Sequence, residues 1–276
     1  MLFIVVALYI EAKPIIAYYN LKKDVDNHHF QVFTNEEIAL IVTGVGKVNS
    51  AVGVSHVLSK YMTGKNDHDH IINLGVCGSA NKQCEVGEIY IIHKVIDHEN
   101  KRMYFPDILL NHSFKEADIE TFSSVVKHNQ EVVTQLCDME ASGFYQAASK
   151  YLSPHQIHII KVVSDYLEEE TIEKNQITHL LHKNIERVNE YTHIIYKAYP
   201  TAEELADEQT QIITHIAKAL RLSQTQKYQL LKAYNQYILR VGKVPTFLQT
   251  YQKIRVNSKH EGKNYFKTIY KRLLSE

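Results

Sequence analysis

The sequence of 276 residues has no apolar run long enough to cross a membrane, only three cysteines, and no net charge, because 31 Lys/Arg balance 31 Asp/Glu. Each shortage excludes a class of protein. The opening run Met1 to Leu8 falls far short of the ~20 residues that a spanning helix needs. It also lacks a basic start and a cleavage-site pattern, so it reads as a first buried strand. Cys77, Cys84 and Cys137 are odd in number and have no paired zinc-finger spacing. That argues against a disulfide framework and a structural zinc site, and for reduced thiols in a cytoplasmic protein. His28-His29 and the run Asp67-His68-Asp69-His70 lie in polar, loop-like sequence and are read as solvated histidines rather than metal ligands. With 45% hydrophobic and 22% charged residues, the chain is long enough for one large domain or a medium domain with an appendage.

The zero net charge conceals a split. From Gln211 onward there are 13 Lys/Arg against two acids, Glu261 and Glu276, a net of +11, so the preceding 210 residues carry −11. The basic end could face a phosphate backbone or an acidic surface. Its apolar residues recur at helical spacing: Ile212, Ile213, Ile216, Ala217 and Leu220, then Tyr228, Leu231, Tyr234 and Ile238, then Phe247, Leu248, Tyr251 and Ile254, then Phe266, Ile269, Tyr270 and Leu273. Gly242 to Pro245 and Gly262 separate the segments. This predicts a small helical bundle. Its tyrosines either fill the core under a solvated Lys/Arg face, the favoured reading, or stack on nucleic-acid bases.

The first part reads as strands that end in ligand-permissive loops. Leu2 to Leu8 is continuously apolar, as in a strand buried on both faces of an α/β sheet. It runs into Glu11, placed at the carboxyl end of that strand before Pro14, either a solvated loop acid or one facing a ligand. Ile38 to Val42 leads into Thr43-Gly44-Val45-Gly46-Lys47-Val48-Asn49, where two glycines permit close backbone approach, although the spacing is not that of a phosphate-cradling Lys-Ser/Thr loop. Ile71 to Leu74 ends in Gly75-Val76-Cys77-Gly78-Ser79. Val86-Gly87-Glu88 precedes a strand continuing toward Val95, and Ser113 to Val126 has no clear pattern. Cys137-Asp138-Met139-Glu140-Ala141-Ser142-Gly143 predicts a small-residue helix from Asp138 to Tyr151, in which Asp138 caps and Glu140 complements the dipole unless the acids are functional. Ile157 to Val163 is a strand ending in Ser164-Asp165, where Asp165 is a helix cap or a functional acid. A helix is predicted from Thr171 to Tyr196, and Pro200 closes the first domain.

As an ordered set, Ala7 to Glu11, Thr43 to Asn49, Asn73 to Gly78, Val86-Gly87-Glu88, Asp138-Met139-Glu140-Ala141 and Val163-Ser164-Asp165 resemble the purine nucleoside phosphorylase and uridine phosphorylase superfamily. Within it they look most like the 5′-methylthioadenosine/S-adenosylhomocysteine nucleosidases. The likeness covers roughly the first 195 residues, not the basic end. It implies a three-layer αβα sandwich around a mixed central sheet (residues 1–198), with an all-helical appendage (199–276). It also implies hydrolysis of the bond between adenine and a ribose with a modified 5′ position, with no cofactor.

By this resemblance Asp165 protonates the purine as general acid, Glu11 activates the attacking water and Glu140 binds the ribose hydroxyls. Met139 packs on ribose or purine, Ser164 orients the acid, Leu8 and Val45 line the 5′ pocket, and Val76, Cys77 and Gly78 form the substrate loop. Lys161 stands where the family commonly has arginine, and Phe122 to Val126 is the candidate for its purine-stacking segment. The phosphorylase start Gly-Asp-Pro-x-Arg is absent and no arginine precedes Arg102, which favours water over phosphate as nucleophile. A homodimer is implied, with no membrane partner. Two alternatives stand: a phosphate-dependent phosphorylase, or a non-catalytic nucleoside-binding protein whose basic tail binds nucleic acid.

Overall fold

The computed structural model describes residues 1–62, 68–126, 132–167, 174–199, 208–242, 245–251, 254–256 and 258–275. The chain divides into two compact units, Met1–Tyr196 and Lys197–Glu276.

The first unit runs β1 (Leu2–Val6), α1 (Tyr9–Tyr18), β2 (Lys22–Lys23), β3 (Gln31–Thr34), β4 (Ile38–Val42), α2 (Lys47–Tyr61) and β5 (His70–Ser79). It continues through β6 (Ile89–Asp97), β7 (Met103–Tyr104), β8 (Lys115–Thr121), β9 (Leu136–Asp138), α3 (Ala141–Ala148), β10 (Ile157–Asp165) and α4 (Lys174–Ala198). The strands form one mixed sheet in the order β10-β6-β8-β9-β5-β1-β4-β3-β2, with β7 on β6. Strand β10 also pairs in parallel with β5, so β5, β10, β6, β8 and β9 close into a ring while β1, β4, β3 and β2 extend from it as a wing. The closure turns on β5. Ile71 to Cys77 pair with β10, and then Gly78 and Ser79 pair antiparallel with Cys137 and Leu136 of β9.

The expected α/β architecture, helices around a mixed sheet with a helical C-terminal region, is thus present. β1, β4, β5 and β10 are apolar almost throughout because each is covered on both faces. The small residues of α3 serve the predicted close approach. Gly143 lies against α2, where a Cβ would collide with the Lys47 carbonyl oxygen.

Several expectations need correction. Helix α3 does not begin at Asp138: Leu136–Asp138 is a strand held between β5 and β8, and the helix spans only Ala141–Ala148. Glu11 is not at a strand end but in the first turn of α1, and Pro14 lies inside that helix. Proline has no N–H, so the Ile10 carbonyl four residues back loses its helical donor. The Thr178 hydroxyl of α4 donates to it instead, at 3.1 Å. The segment Ser113 to Val126 contains β8, whose last residues are buried while its first two are exposed.

Asp69 and His70 are buried rather than solvated, whereas His28 and His29 are exposed and Asp67 lies outside the described residues. His70 Nδ1 is 3.2 Å from His158 Nε2, and the Tyr191 hydroxyl is 3.0 Å from His158 Nδ1. Burial, reinforced by neighbouring histidines, lowers His70 to about 2 and His158 to about 3. No group of three His, Cys, Asp or Glu among the described residues could hold a metal ion.

The second unit comprises α5 (Glu208–Ala219), α6 (Gln224–Val241), the single turn α7 (Leu248–Tyr251) and α8 (Lys259–Ser275). A capping box starts α6. Ser223 Oγ accepts from Gln226 N at 3.2 Å, and the Gln226 side chain accepts from Ser223 N at 3.0 Å. Gly242, left-handed at φ 70°, ends that helix. The core gathers Ile213, Ile216, Leu220, Leu230, Tyr234, Phe247, Ile269 and Leu273. Tyr234 and Tyr237 are buried, whereas Tyr228, read on the same stripe as Tyr234, is 62% exposed, and Tyr251, Tyr265 and Tyr270 are half-buried. No described helix of either unit is long and apolar enough to cross a membrane.

Candidate active site

The acids that the motifs single out follow three strands: Glu11 on α1 after β1, Glu140 after β9, and Asp165 at the end of β10. Glu11, on the first turn of α1, folds back over its own helix start: Oε2 accepts from Leu8 N at 2.8 Å and Ala7 N at 3.0 Å, and Oε1 accepts from Val76 N at 3.0 Å. Gly75 leaves room for it, since a Cβ there would sit 2.8 Å from Oε1. Burial raises the Glu11 carboxyl above its ordinary range, against the opposing pull of the Leu8, Val76 and Ala7 N–H groups and the Lys161 charge.

Lys161, in register with Gly75 on the β5–β10 ladder, is the buried cation of the site. Its Nζ lies 2.9 Å from Asp138 Oδ2. Burial works against its charge, but Asp138, Glu140 and Glu11 together outweigh burial and raise its affinity for the proton. Asp138 is fully engaged. Thr121 Oγ1 donates to its Oδ1 at 2.8 Å, and Ala141 N donates to Oδ2 at 2.9 Å, so Asp138 does cap α3.

That cap leaves Glu140 free for another purpose. Its Oε1 accepts from Gly46 N at 2.9 Å, so the acid preceding α3 sits on the amino end of α2. Gly44 (φ 87°) and Gly46 (φ 104°) supply the backbone that this loop requires. Lys47 follows, ion-paired with Asp97 at 3.1 Å and with Glu99, and Ser142 Oγ donates to the same Asp97 at 2.8 Å. These bonds fix the starts of α2 and α3 together. Burial, then repulsion from Asp138 and Glu11, pushes Glu140 up to about 7 despite Lys161 and the Gly46 N–H.

A raised carboxyl makes stability fall with pH. The Glu140 contribution is complete below about 4.5 and is lost as pH rises through about 7, a cost of roughly 3 kcal/mol above that point. Glu140→Gln removes this cost. In urea unfolding, the stability difference between variant and parent is expected to shift in the variant's favour by about 2–3 kcal/mol between pH 5 and pH 8. An unchanged difference would mean that Glu140 ionises normally.

Asp165 ends β10 opposite Gly78, after an irregularity in the pairing at Ser164. Its Oδ1 accepts from Leu167 N at 2.9 Å. Ser164 Oγ is 2.6 Å from Asp165 Oδ2 and 3.0 Å from the Cys77 carbonyl oxygen. Gly78 admits both Asp165 and Leu167, whose side chain would collide with a Cβ there. Phe122 packs with Cys137 and Leu167 beside this loop and stacks on His98 at 4.1 Å between ring centroids. The Cys77 thiol is raised well above its usual range and that of Cys137 to about 12, both chiefly by burial, so both are inert.

The structure therefore brings Glu11 and Glu140 around Lys161. Asp165 stands opposite Gly78, three residues or ~10 Å beyond the Gly75 that is in register with Lys161, with Ser164 and Cys77 beside it. Val76 is half-buried between the two groups and Leu8 joins through its N–H. Met139 is half-buried beside Glu140, and Val45 keeps 41% of its surface open in the loop before Gly46. Sequence reasoning missed the Asp138–Lys161 pair. The signal was available: a lysine inside the apolar strand Ile157 to Val163 requires a buried anion.

Residues 2–128 match the family model of the phosphorylase superfamily. Curated relatives include the 5′-methylthioadenosine/S-adenosylhomocysteine nucleosidase of Marinomonas sp. (strain MWYL1), 30% identical over 67 residues, which are 24% of this chain and 27% of that protein. The enzyme of the same name from Maridesulfovibrio salexigens is 34% identical over 68 residues, 25% of this chain and 27% of that one. The aligned stretch thus spans about a quarter of these relatives' length. The likeness in fold extends further. The Helicobacter pylori 5′-methylthioadenosine/S-adenosylhomocysteine nucleosidase, solved with butyl-thio-DADMe-Immucillin-A, superposes with a TM-score of 0.57 at 13% identity. It covers 70% of this chain and 97% of its own. The apo 5′-methylthioadenosine nucleosidase of Arabidopsis thaliana gives 0.58 at 16% identity, covering 70% and 95%.

Proposed function

We propose that residues 1–198 form a nucleosidase domain that hydrolyses the N-glycosidic bond of a purine nucleoside, with adenine as base and a modified 5′ position. Residues 199–276 form a separate basic helical domain. The observation that carries this reading is the division of the acids into two groups ~10 Å apart along β5 and β10, one for the sugar face and one for the base.

Asp165 protonates the purine ring. The single proton of Ser164 cannot serve both its neighbours. Its Oγ, within reach of the Asp165 carboxylate and the Cys77 carbonyl, holds the acid in place. Glu11 orients and deprotonates the attacking water, and burial raises its proton affinity toward the range useful for a base. Glu140 accepts from the ribose hydroxyls and places negative charge beside the developing oxocarbenium ion. Leu8, Val45, Met139, Val76, Cys77 and Gly78 complete the walls.

Water is the nucleophile. The buried cation Lys161 is already bound to Asp138 and flanked by Glu11 and Glu140, so the surrounding carboxylates disfavour a phosphate dianion. The exposed valines Val45, Val48 and Val52 support a homodimer formed at the start of α2. The test is base release across adenosine, inosine and 5′-substituted adenosines, with and without phosphate. Free adenine from the 5′-substituted substrates in phosphate-free buffer is the expected result. Release that requires phosphate would make the protein a phosphorylase, and binding without release would leave it a nucleoside-binding protein.

A further inference from the structure

The second unit offers a surface that the nucleosidase reading does not use. Helix α8 carries Lys259, Lys263, Lys267 and Lys271 at strict four-residue intervals, all exposed. Four residues rise ~6 Å, so the row is roughly 18 Å long, and it winds about 40° around the helix at each step. Ser258, His260, Asn264, Thr268 and Arg272 are exposed with it, while Gly262, Ile269 and Leu273 face the core. The open arc thus takes a little over half of the helix circumference, and the lysines wind from its edge at Lys259 toward its centre at Lys271. None of the four lysines is ion-paired among the described residues, and Glu261, the one acid on α8, lies off the row.

The arginines behave differently. Arg240 donates to the Leu273 carbonyl at 2.7 Å, and Arg272 lies over the Phe247 ring at 4.2 Å, so both hold the bundle together. The lysines contribute no such contact. Four unpaired ammonium groups in one row repel each other and weaken the free helix slightly. No structural role offsets that cost.

We propose that α8 is a docking surface for the phosphate backbone of a DNA duplex, without sequence preference. A duplex strand presents a phosphate every ~3.4 Å, so the row runs along about five phosphates. Its winding suits a helix lying in the major groove, which admits one, with phosphates on either side. Lysine acts there as a point charge, and Asn264, Thr268 and Ser258 are of the types that reach phosphate and sugar oxygens. A membrane surface fits poorly, because the apolar face of α8 is spent on Ile269 and Leu273 in the core. Tyr234 and Tyr237 are buried, which removes base stacking by those two residues, and the exposed Tyr228 lies on α6, off the lysine row.

The test uses the full chain, a fluorescent 20-base-pair DNA and anisotropy between 50 and 200 mM salt. Four phosphate contacts predict a slope of log K against log salt of about −3.6, or roughly a 10²-fold loss of affinity over that range. Replacing the four lysines together by glutamine is expected to remove most of that slope. The four arginine replacements should preserve it. Circular dichroism melting controls for folding, which glutamine at exposed helical sites should leave unchanged. The proposal is overturned if the parent does not bind, if the glutamine variant keeps the parent's slope while folded, or if poly-glutamate or anionic vesicles bind at least as tightly as DNA.

Discussion

Replacing Asp165 by asparagine should reduce base release by at least 10²–10⁴-fold in kcat while leaving the protein folded. The two side chains have the same shape, and the surroundings tolerate the exchange. Asparagine can still accept from Leu167 N through its oxygen, where Asp165 does so at 2.9 Å. Its amide can donate to Ser164 Oγ, which lies 2.6 Å from the present carboxylate, while Ser164 donates to the Cys77 carbonyl at 3.0 Å. On the proposed mechanism, what asparagine lacks is a proton to transfer to the purine. The purine must then depart as an anion, so the loss falls on the chemical step and KM changes little. Steady-state adenine release from 5′-methylthioadenosine, with a melting curve as control, measures both parts. A variant that retains more than about a tenth of the parental kcat would show that the leaving group takes its proton elsewhere.

Lys161→Met should cost about 3–5 kcal/mol of stability, since it strips a buried carboxylate of its cation. Asp138 Oδ2 lies 2.9 Å from Nζ, and the two side chains are almost wholly buried. Methionine fills similar volume, so the loss is electrostatic rather than a cavity effect. The same substitution should lower activity, because Glu11 and Glu140 would lose the charge that favours their ionised forms. The double variant Lys161→Met with Asp138→Asn is the decisive comparison. Asparagine can accept from Ala141 N through its one oxygen while its amide donates to Thr121 Oγ1, and it carries no charge, so the double variant should be more stable than Lys161→Met alone by roughly 1–3 kcal/mol. Urea unfolding of parent, single and double variants measures it. A cost below about 1 kcal/mol for the single variant would show that solvent reaches the pair.

Both predictions rest on residues that local pattern treated unequally. Asp165 and Glu11 stood out because each follows an apolar strand, and a polar residue at such an edge is conspicuous. The conformation around them was less visible. Glu11 reads as a strand-end acid until α1 is seen to begin at Tyr9, after which its carboxylate turns back on Leu8 N and across to Val76 N. Glu140 and Asp138 look like competing caps of one helix. The structure gives the cap to Asp138 and sends Glu140 to Gly46, a residue far away in the chain.

By itself the sequence determined the strands β1, β4 and β10, the start of β5, the glycine-bearing turn after β4 and the helical stripes of the basic end, whereas Gly75 to Ser79, read as a turn, continues β5. These are local facts, because burial on both faces demands an unbroken apolar run and a helix must repeat its apolar residues on one side. Tertiary structure alone decided the rest. The three residues of β9 are too few to show a period, and their extended form comes from pairing with Gly78 and Ser79 on one side and with Ile119 to Thr121 on the other. That pairing closes the ring and brings Asp138 to Lys161, and with them Glu140 and Glu11 into one electrostatic group. Charges so distant in sequence interact only when the chain has buried them together, since water would otherwise screen them.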